Sequence, residues 1–149
     1  MATVSHPATR AVPTARPLSA VAAVQGLFYL ATGVWPLIDV DTFQAVTGPK
    51  TDLWLVYTIG VLVAVVGCVL LSAAASGRVT AELGLLAVGC ALALTGIDVV
   101  FVLRNVISQV YLLDAAAEVM LAAAWGRCYL AAGGFGRRPT DRPQLVTGG

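Results

Sequence analysis

Apolar residues along the chain fall into four long blocks that are separated by short polar segments. The blocks are residues 18–38, 53–75, 81–103 and 110–132. A helix rises about 1.5 Å per residue, so about 20 mainly apolar residues cross the hydrocarbon core of a bilayer. Each block is long enough, and none alternates polar and apolar residues as a membrane β-strand does. The pattern predicts an all-α protein, a transmembrane antiparallel four-helix bundle.

The longest polar interruption between the blocks is residues 39–52. Asp41 with Gln44 three residues later has the spacing of a capping box, and Gly48 is a residue that ends helices. This segment is therefore predicted to be a loop that contains a short helix lying at the membrane surface. Asp52 is predicted to cap the second long helix.

Composition supports the assignment to a membrane. The chain is 58% apolar and 11% charged, with a mean hydropathy of +0.86, whereas a soluble domain carries about 25% charged residues. The formal net charge of +1 and the lack of a basic face argue against a nucleic-acid partner. The lipid bilayer is the expected partner. Residues 1–17 and 133–149 have no apolar period and are predicted to be flexible tails.

The distribution of the nine Lys and Arg residues predicts an orientation. If the N-terminus is cytoplasmic, only Lys50 and Arg104 fall on the outer side, and this agrees with the positive-inside rule. Both termini are therefore expected in the cytoplasm. The residues expected on the cytoplasmic side are Arg10, Arg16, Arg78, Arg127, Arg137, Arg138 and Arg142.

Aromatic residues near the ends of the blocks fit the same topology. Tryptophan and tyrosine favour the headgroup level of a bilayer. Trp35 and Trp54 would mark the outer level, and Trp125 with Tyr129 the inner one.

Three acidic residues, Asp98, Asp114 and Glu118, lie well inside the predicted spans, whereas Glu82 lies at the inner end of the third. An acid at the centre of a membrane helix costs about 2.5–3.5 kcal/mol on insertion scales, so such residues usually face a bundle interior, a partner or water. Asp114 and Glu118 are one helical turn apart and share a face. By helical rise, all three acids are predicted in the outer half of the bundle at similar heights.

Other polar residues of the spans complete a predicted polar cavity that opens outward. They are Thr95 and Asn105 on the face of Asp98, Gln25, Tyr29 and Thr32 on the first helix, and Tyr57 on the second.

Two further interpretations of the acids stay open. One is structural pairing, of Arg104 with Asp98 or Asp114, and of Glu82 with Arg127. The other is a contact between subunits, in a homodimer or a larger membrane complex.

A run of small residues at every fourth position occurs in the second block: Gly60, Ala64, Cys68 and Ser72. Small residues at this spacing let helix backbones approach closely. The run is predicted to form a packing face inside the bundle, and a homodimer face is the alternative.

Motifs for metal and cofactor chemistry are missing from the sequence. The cysteines Cys68, Cys90 and Cys128 form no CxxC pair, and the single histidine is His6 in the first tail. No glycine-rich phosphate loop is present. Neither a metal nor a cofactor is therefore predicted. Carboxylates alone can carry acid–base catalysis, which leaves open an isomerase acting on a lipid-soluble substrate.

The segment Trp35-Pro36-Leu37, then Phe43, then 46–55 (VTGPKTDLWL) resembles a stretch of small bacterial membrane proteins of unassigned function. The plan of four short-looped helices in about 150 residues is similar to DoxX-like proteins. This resemblance implies a helical protein of the bacterial inner membrane. Small four-helix multidrug exporters have a similar size, but they centre on an acid in the first helix, which this chain lacks.

The sequence favours a non-enzymatic binding or accessory module with a polar cavity in the outer half of the bundle. The first alternative is a small oligomeric transporter, linked to protons or cations, that uses Asp98 and Glu118. The second alternative is the membrane isomerase.

Overall fold

The computed structural model describes residues 15–131, and every element in that part of the chain is an α-helix. The four long helices coincide closely with the predicted apolar blocks, and a short helix lies between the first two. The elements are α1 (Ala15–Ile38), α2 (Val40–Thr47), α3 (Leu53–Ser76), α4 (Ala81–Leu103) and α5 (Tyr111–Ala131).

The start of α1 corrects the predicted first tail, because Ala15 to Pro17 are helical. Pro17 is tolerated there, since the first turn of a helix has no use for the missing N–H. The rest of both predicted tails lies outside the described residues. The same is true of His6 and of four arginines that supported the orientation, Arg10, Arg137, Arg138 and Arg142.

Three helices of the described part are long and apolar enough to cross a membrane: Arg16–Ile38, Leu53–Ser76 and Ala81–Leu103. The fourth long helix, α5, has 21 residues but contains Asp114, Glu118 and Arg127. Its length suits a membrane span, whereas its charge content sets it apart from the other three.

The packing is centred on α1, which lies along α3 on one side and touches α5 on the other, while α4 packs on α5. Two glycine pairs bring the backbones of α1 and α3 together. A Cβ on Gly33 would lie 2.6 Å from the carbonyl oxygen of Gly60, and a Cβ on Gly67 would lie 2.7 Å from that of Gly26. No side chain larger than hydrogen fits at these four positions.

The α3 face that meets α1 differs from the predicted run of small residues. Gly60 and Ala64 are buried in the structure, but Cys68 and Ser72 are exposed, and Gly67 takes the next buried position. Each step of four residues turns the helix by about 40° beyond a full circle, so a run at every fourth position drifts off a straight contact line. A seven-residue step drifts by only about 20° in the opposite direction, and Gly60 and Gly67 therefore stay on the contact.

The short helix α2 begins two residues earlier than expected. Asp39 is its N-cap, and the Asp39 carboxylate accepts a hydrogen bond of 3.0 Å from the backbone N–H of Thr42. The prediction that Asp41 caps this helix is therefore wrong, and Asp41 lies in the first turn. Gly48 ends α2 with a φ of 90°, which favours glycine. Asp52 occupies the N-cap position of α3 but its side chain makes no capping bond.

The segment of α2 and the loop to α3, residues 39–52, lies over one end of the helices. Trp35 of α1 packs edge-on against Phe43, with ring centroids 5.5 Å apart. Gln44 accepts a 2.9 Å hydrogen bond from the backbone N–H of Lys50. The Lys50 ammonium lies 5.0 Å from the centre of the Tyr111 ring at the start of α5. We call the end of the helices that residues 39–52 lie over the α2 end. The opposite end, with the turn between α3 and α4, is called the Gly77 end.

Candidate functional site

Three of the four acids of the long helices converge between α1, α4 and α5, and we call them the carboxyl cluster: Asp98, Asp114 and Glu118. Glu118 is 1% exposed and Asp98 is 5% exposed. The Tyr29 hydroxyl of α1 donates a 3.0 Å hydrogen bond to Oε2 of Glu118. The carboxyl groups of Asp98 and Asp114 lie within hydrogen-bonding reach of each other. Glu118 is close enough to both aspartates for an electrostatic interaction.

Helical spacing explains why these side chains point inward. The buried face of α4 consists of Gly84, Ala87, Ala91 and Asp98, so the aspartate continues a line of very small residues. In α5 the buried positions are Ala115, Glu118, Leu121 and Trp125. Steps of three, four and seven residues return to one side of a helix. The acids therefore lie on the same faces that hold α4 and α5 against the rest of the protein.

The cluster has no basic partner within residues 15–131. Its carboxyl groups interact with one another and with Tyr29, and Glu118 also with the thiol of Cys90. Arg104 is exposed, and the predicted pairing of Arg104 with Asp98 or Asp114 is not formed.

At the other end of α4, Glu82 is exposed and bonds to Thr80 rather than to Arg127. The acids are therefore not neutralised by ion pairs in this part of the chain.

Asp98 carries the one orphaned atom of the site. Within the described residues, its Oδ2 is buried and receives no hydrogen bond from any N–H or O–H group. A buried acceptor without a donor costs about 1–3 kcal/mol, and more when it is charged. The neighbouring Asp114 can supply a donor only if one of the two carboxyl groups carries a proton.

The remaining candidates from the sequence lie away from the cluster or are satisfied locally. The hydroxyl groups of Thr32 and Thr95 each donate a 2.8 Å hydrogen bond to the carbonyl four residues earlier in their own helix. Asn105 lies beyond the end of α4, exposed in a turn with a φ of 57°, so it does not share a helical face with Asp98. Tyr57 is exposed on α3.

A second set of buried polar groups, which we call the glutamine layer, lies one helical turn closer to the Gly77 end than Tyr29. It consists of Gln25, Trp125 and the carbonyl group of Ala87. Oε1 of Gln25 accepts a 2.6 Å hydrogen bond from the Trp125 indole, and Nε2 donates one of 2.9 Å to the Ala87 carbonyl oxygen. These contacts join α1, α5 and α4 at positions that are fully buried.

The sequence interpretation missed the role of Trp125, which was expected at the headgroup level. The signal was its spacing, because Trp125 lies seven residues after Glu118 and so shares the face of that residue.

The groove beside the site is apolar: its volume is about 260 Å³, and its lining is Val24, Phe28, Ala117, Met120 and Leu121.

Comparisons of the chain with protein-family models, with curated proteins and with solved structures gave no match. The fold and the site define an all-helical protein with three helices that are able to cross a membrane and with a buried carboxyl cluster.

Proposed function

We propose that the chain is a non-enzymatic membrane module whose carboxyl cluster binds a proton inside the bilayer. The observation that carries this proposal is the orphaned, buried Oδ2 of Asp98 beside the carboxyl group of Asp114. Two adjacent carboxylates repel each other, whereas one proton between them supplies the missing donor and removes a charge. The protonated pair is the form that suits a low-dielectric interior.

The donor set favours a proton over a metal ion. Within residues 15–131, no group of three or more His, Cys, Asp or Glu side chains has an arrangement that could hold a metal. Glu118 already accepts the hydrogen bond from Tyr29, and its side chain is enclosed by packing. This closed arrangement supports a binding or accessory role better than turnover of a substrate.

The proposal includes a topology with α5 as a fourth membrane span. The acids of α5 face α1 and α4 rather than the surface, so they do not oppose insertion as lipid-facing charges do. The proposed location is a bacterial plasma membrane. The distribution of Lys and Arg supports an orientation with both termini cytoplasmic and α2 outside.

A reporter inserted after Lys50 tests this topology. We expect an enzyme that is active only outside the cytoplasm to report at Lys50, and one that is active only in the cytoplasm to report when inserted after Gly77. Both positions lie in loops between long helices. The reverse pattern would show that the protein has the opposite orientation. A cytoplasmic signal at both positions would show that α3 does not cross the membrane.

Labelling with a hydrophobic carbodiimide tests proton binding. The reagent reacts with a protonated carboxyl group in an apolar site: the proton moves to a carbodiimide nitrogen, the carboxylate oxygen bonds to the central carbon, and the adduct rearranges to an N-acylurea with no leaving group. We expect mass spectrometry of the full-length protein in membranes to find the adduct on a cluster residue. The yield should fall as pH rises.

Asp39, the N-cap of α2, and Asp41, in its first turn, are both exposed and serve as internal comparisons. Adducts on these residues without any on the cluster, at every pH, would contradict proton binding. A proton flux through liposomes that disappears in Glu118→Gln would move the assignment from an accessory module to a transporter.

A further inference from the structure

We infer that protons reach the carboxyl cluster from the α2 end alone, and that the glutamine layer closes the path from the Gly77 end. This inference rests on the proposed proton binding and adds the side of the membrane from which protons reach the carboxyl cluster. Four observations support it: the depth of the acids, the bonding of Gln25, the direction of the Tyr29 hydrogen bond and the contacts of Lys50.

The cluster is much closer to the α2 end than to the Gly77 end. Asp114 is three residues from the start of α5, and Asp98 is five residues before the end of α4. At 1.5 Å per residue these separations are about 5 Å and 8 Å. Glu118, the deepest acid, is still about 20 Å of helix away from the last described residue of α5.

On the side toward the Gly77 end, the carboxyl cluster is closed off by groups that do not exchange protons. Both polar atoms of the Gln25 side chain are engaged, with the Trp125 indole and with the Ala87 carbonyl group. An indole N–H only donates, a backbone carbonyl only accepts, and neither loses or gains a proton at ordinary pH. Leu70 is also fully buried in this core. A proton therefore finds no acid or base in this layer to carry it further.

The hydrogen bond of Tyr29 points the same way. Its hydroxyl group donates to Glu118, and Gln25 lies within hydrogen-bonding reach of the Tyr29 side chain. The Tyr29 proton is thus directed toward the cluster and away from the glutamine layer. The titratable groups that face Glu118 are Tyr29 from α1, Asp98 and Cys90 from α4, and Asp114 from α5.

On the side toward the α2 end, the carboxyl cluster is covered by polar groups of the segment 39–52. The Lys50 ammonium donates a 3.0 Å hydrogen bond to the Thr47 carbonyl oxygen and lies over the ring of Tyr111, one turn before Asp114. A Cβ on Gly48 would lie 3.9 Å from Cβ of Ser108, so the segment reaches the loop between α4 and α5. Lys50, Tyr111 and Ser108 bring polar groups to the α2 end, in contrast to the glutamine layer on the other side of the cluster.

Carbodiimide labelling in sealed vesicles tests the inference. Full-length protein is studied in spheroplasts and in inverted membrane vesicles. The reporter inserted after Lys50 shows on which side of the membrane α2 lies. The pH is changed on one side while the other side is held constant. We expect the adduct yield on the cluster to fall roughly tenfold per pH unit above its midpoint when the α2 side is titrated. Titration of the other side should leave the yield unchanged.

The possible results separate the two proposals. A yield that follows the Gly77 side, or both sides equally, overturns one-sided access while it leaves proton binding intact. A cluster that is not labelled at any pH on either side contradicts proton binding, and one-sided access with it.

Variants of the glutamine layer complete the test. Gln25→Glu places a proton-exchanging group of nearly the same shape in the layer, so the yield should now respond to pH on both sides. Trp125→Phe keeps an aromatic ring in the layer without adding an acid or a base, so the response should remain one-sided. A one-sided response in Gln25→Glu, with the variant folded as judged by its thermal stability, would show that this layer is not the barrier.

Discussion

Replacing Gly67 with leucine is expected to lower the free energy of unfolding by about 3 kcal/mol or more, beyond the usual cost of overpacking. A Cβ at this position would lie 2.7 Å from the carbonyl oxygen of Gly26 and 2.7 Å from the backbone nitrogen of Leu30. Because both atoms belong to the backbone, no change of rotamer can relieve the clash, and α1 must move away from α3. Unfolding of the purified protein in mixed micelles, followed by circular dichroism, measures the loss.

Gly89→Leu is the matched control for this prediction. Gly89 is also in the middle of a long helix, but nothing lies within 4 Å of the position of its missing Cβ. The expected change is within about 0.5 kcal/mol, as for surface substitutions. Equal losses in the two variants would mean that leucine harms any glycine position of these helices, and that the contact between α1 and α3 is not the cause.

The second large effect is expected for the pH dependence of stability in Asp98→Asn. The wild-type pair is satisfied when it shares a proton, so the folded protein should lose stability as pH rises and the pair ionises. The full effect is about 2.5–3.5 kcal/mol, the insertion cost of one acid. In the variant, the amide N–H donates to Asp114 at any pH. Most of the pH dependence should then disappear from thermal unfolding curves recorded across a pH series.

Asp41→Asn controls for the loss of an acid elsewhere, because Asp41 is exposed in the first turn of α2. Its pH dependence should match the wild type. The opposite result for Asp98→Asn, a variant that is weaker than the wild type at neutral pH while the wild type gains stability as pH rises, would indicate an ionised pair. Proton binding at that pair would then be excluded.

Much of the architecture could be predicted because hydrophobic length is a strong signal. Each long helix coincides with one apolar block, and the polar segment 39–52 does contain a short helix. The cap of that helix was less predictable, since Asp39 and Asp41 are both favoured N-cap residues and only the end of α1 at Ile38 decides between them. The acids could be identified as buried, because their cost in a membrane leaves few other positions.

What could not be predicted is how the faces of different helices meet. Spacing within α3 identifies small residues, but it cannot say that Gly67 rather than Cys68 meets α1, because the contact line depends on the crossing of two helices. Trp125 illustrates the same difficulty: its amphipathic ring suits either a headgroup or a buried amide partner. Gln25 decides between the two only when α1 and α5 are known to be neighbours.

The arrangement of the helices in two antiparallel pairs has a consequence for how the protein is made. The glycine contact joins α1 and α3, which are synthesised first, so this pair can close before α4 leaves the ribosome. In the proposed membrane topology, Gln25 and Tyr29 would then lack their native partners, and polar groups in lipid stay unsatisfied until something binds them. The later pair, α4 and α5, brings Ala87, Trp125 and Glu118 to these groups. Completion of the polar interior thus requires α4 and α5, and we expect a chain truncated before α5 to leave Gln25 and Tyr29 without their native partners.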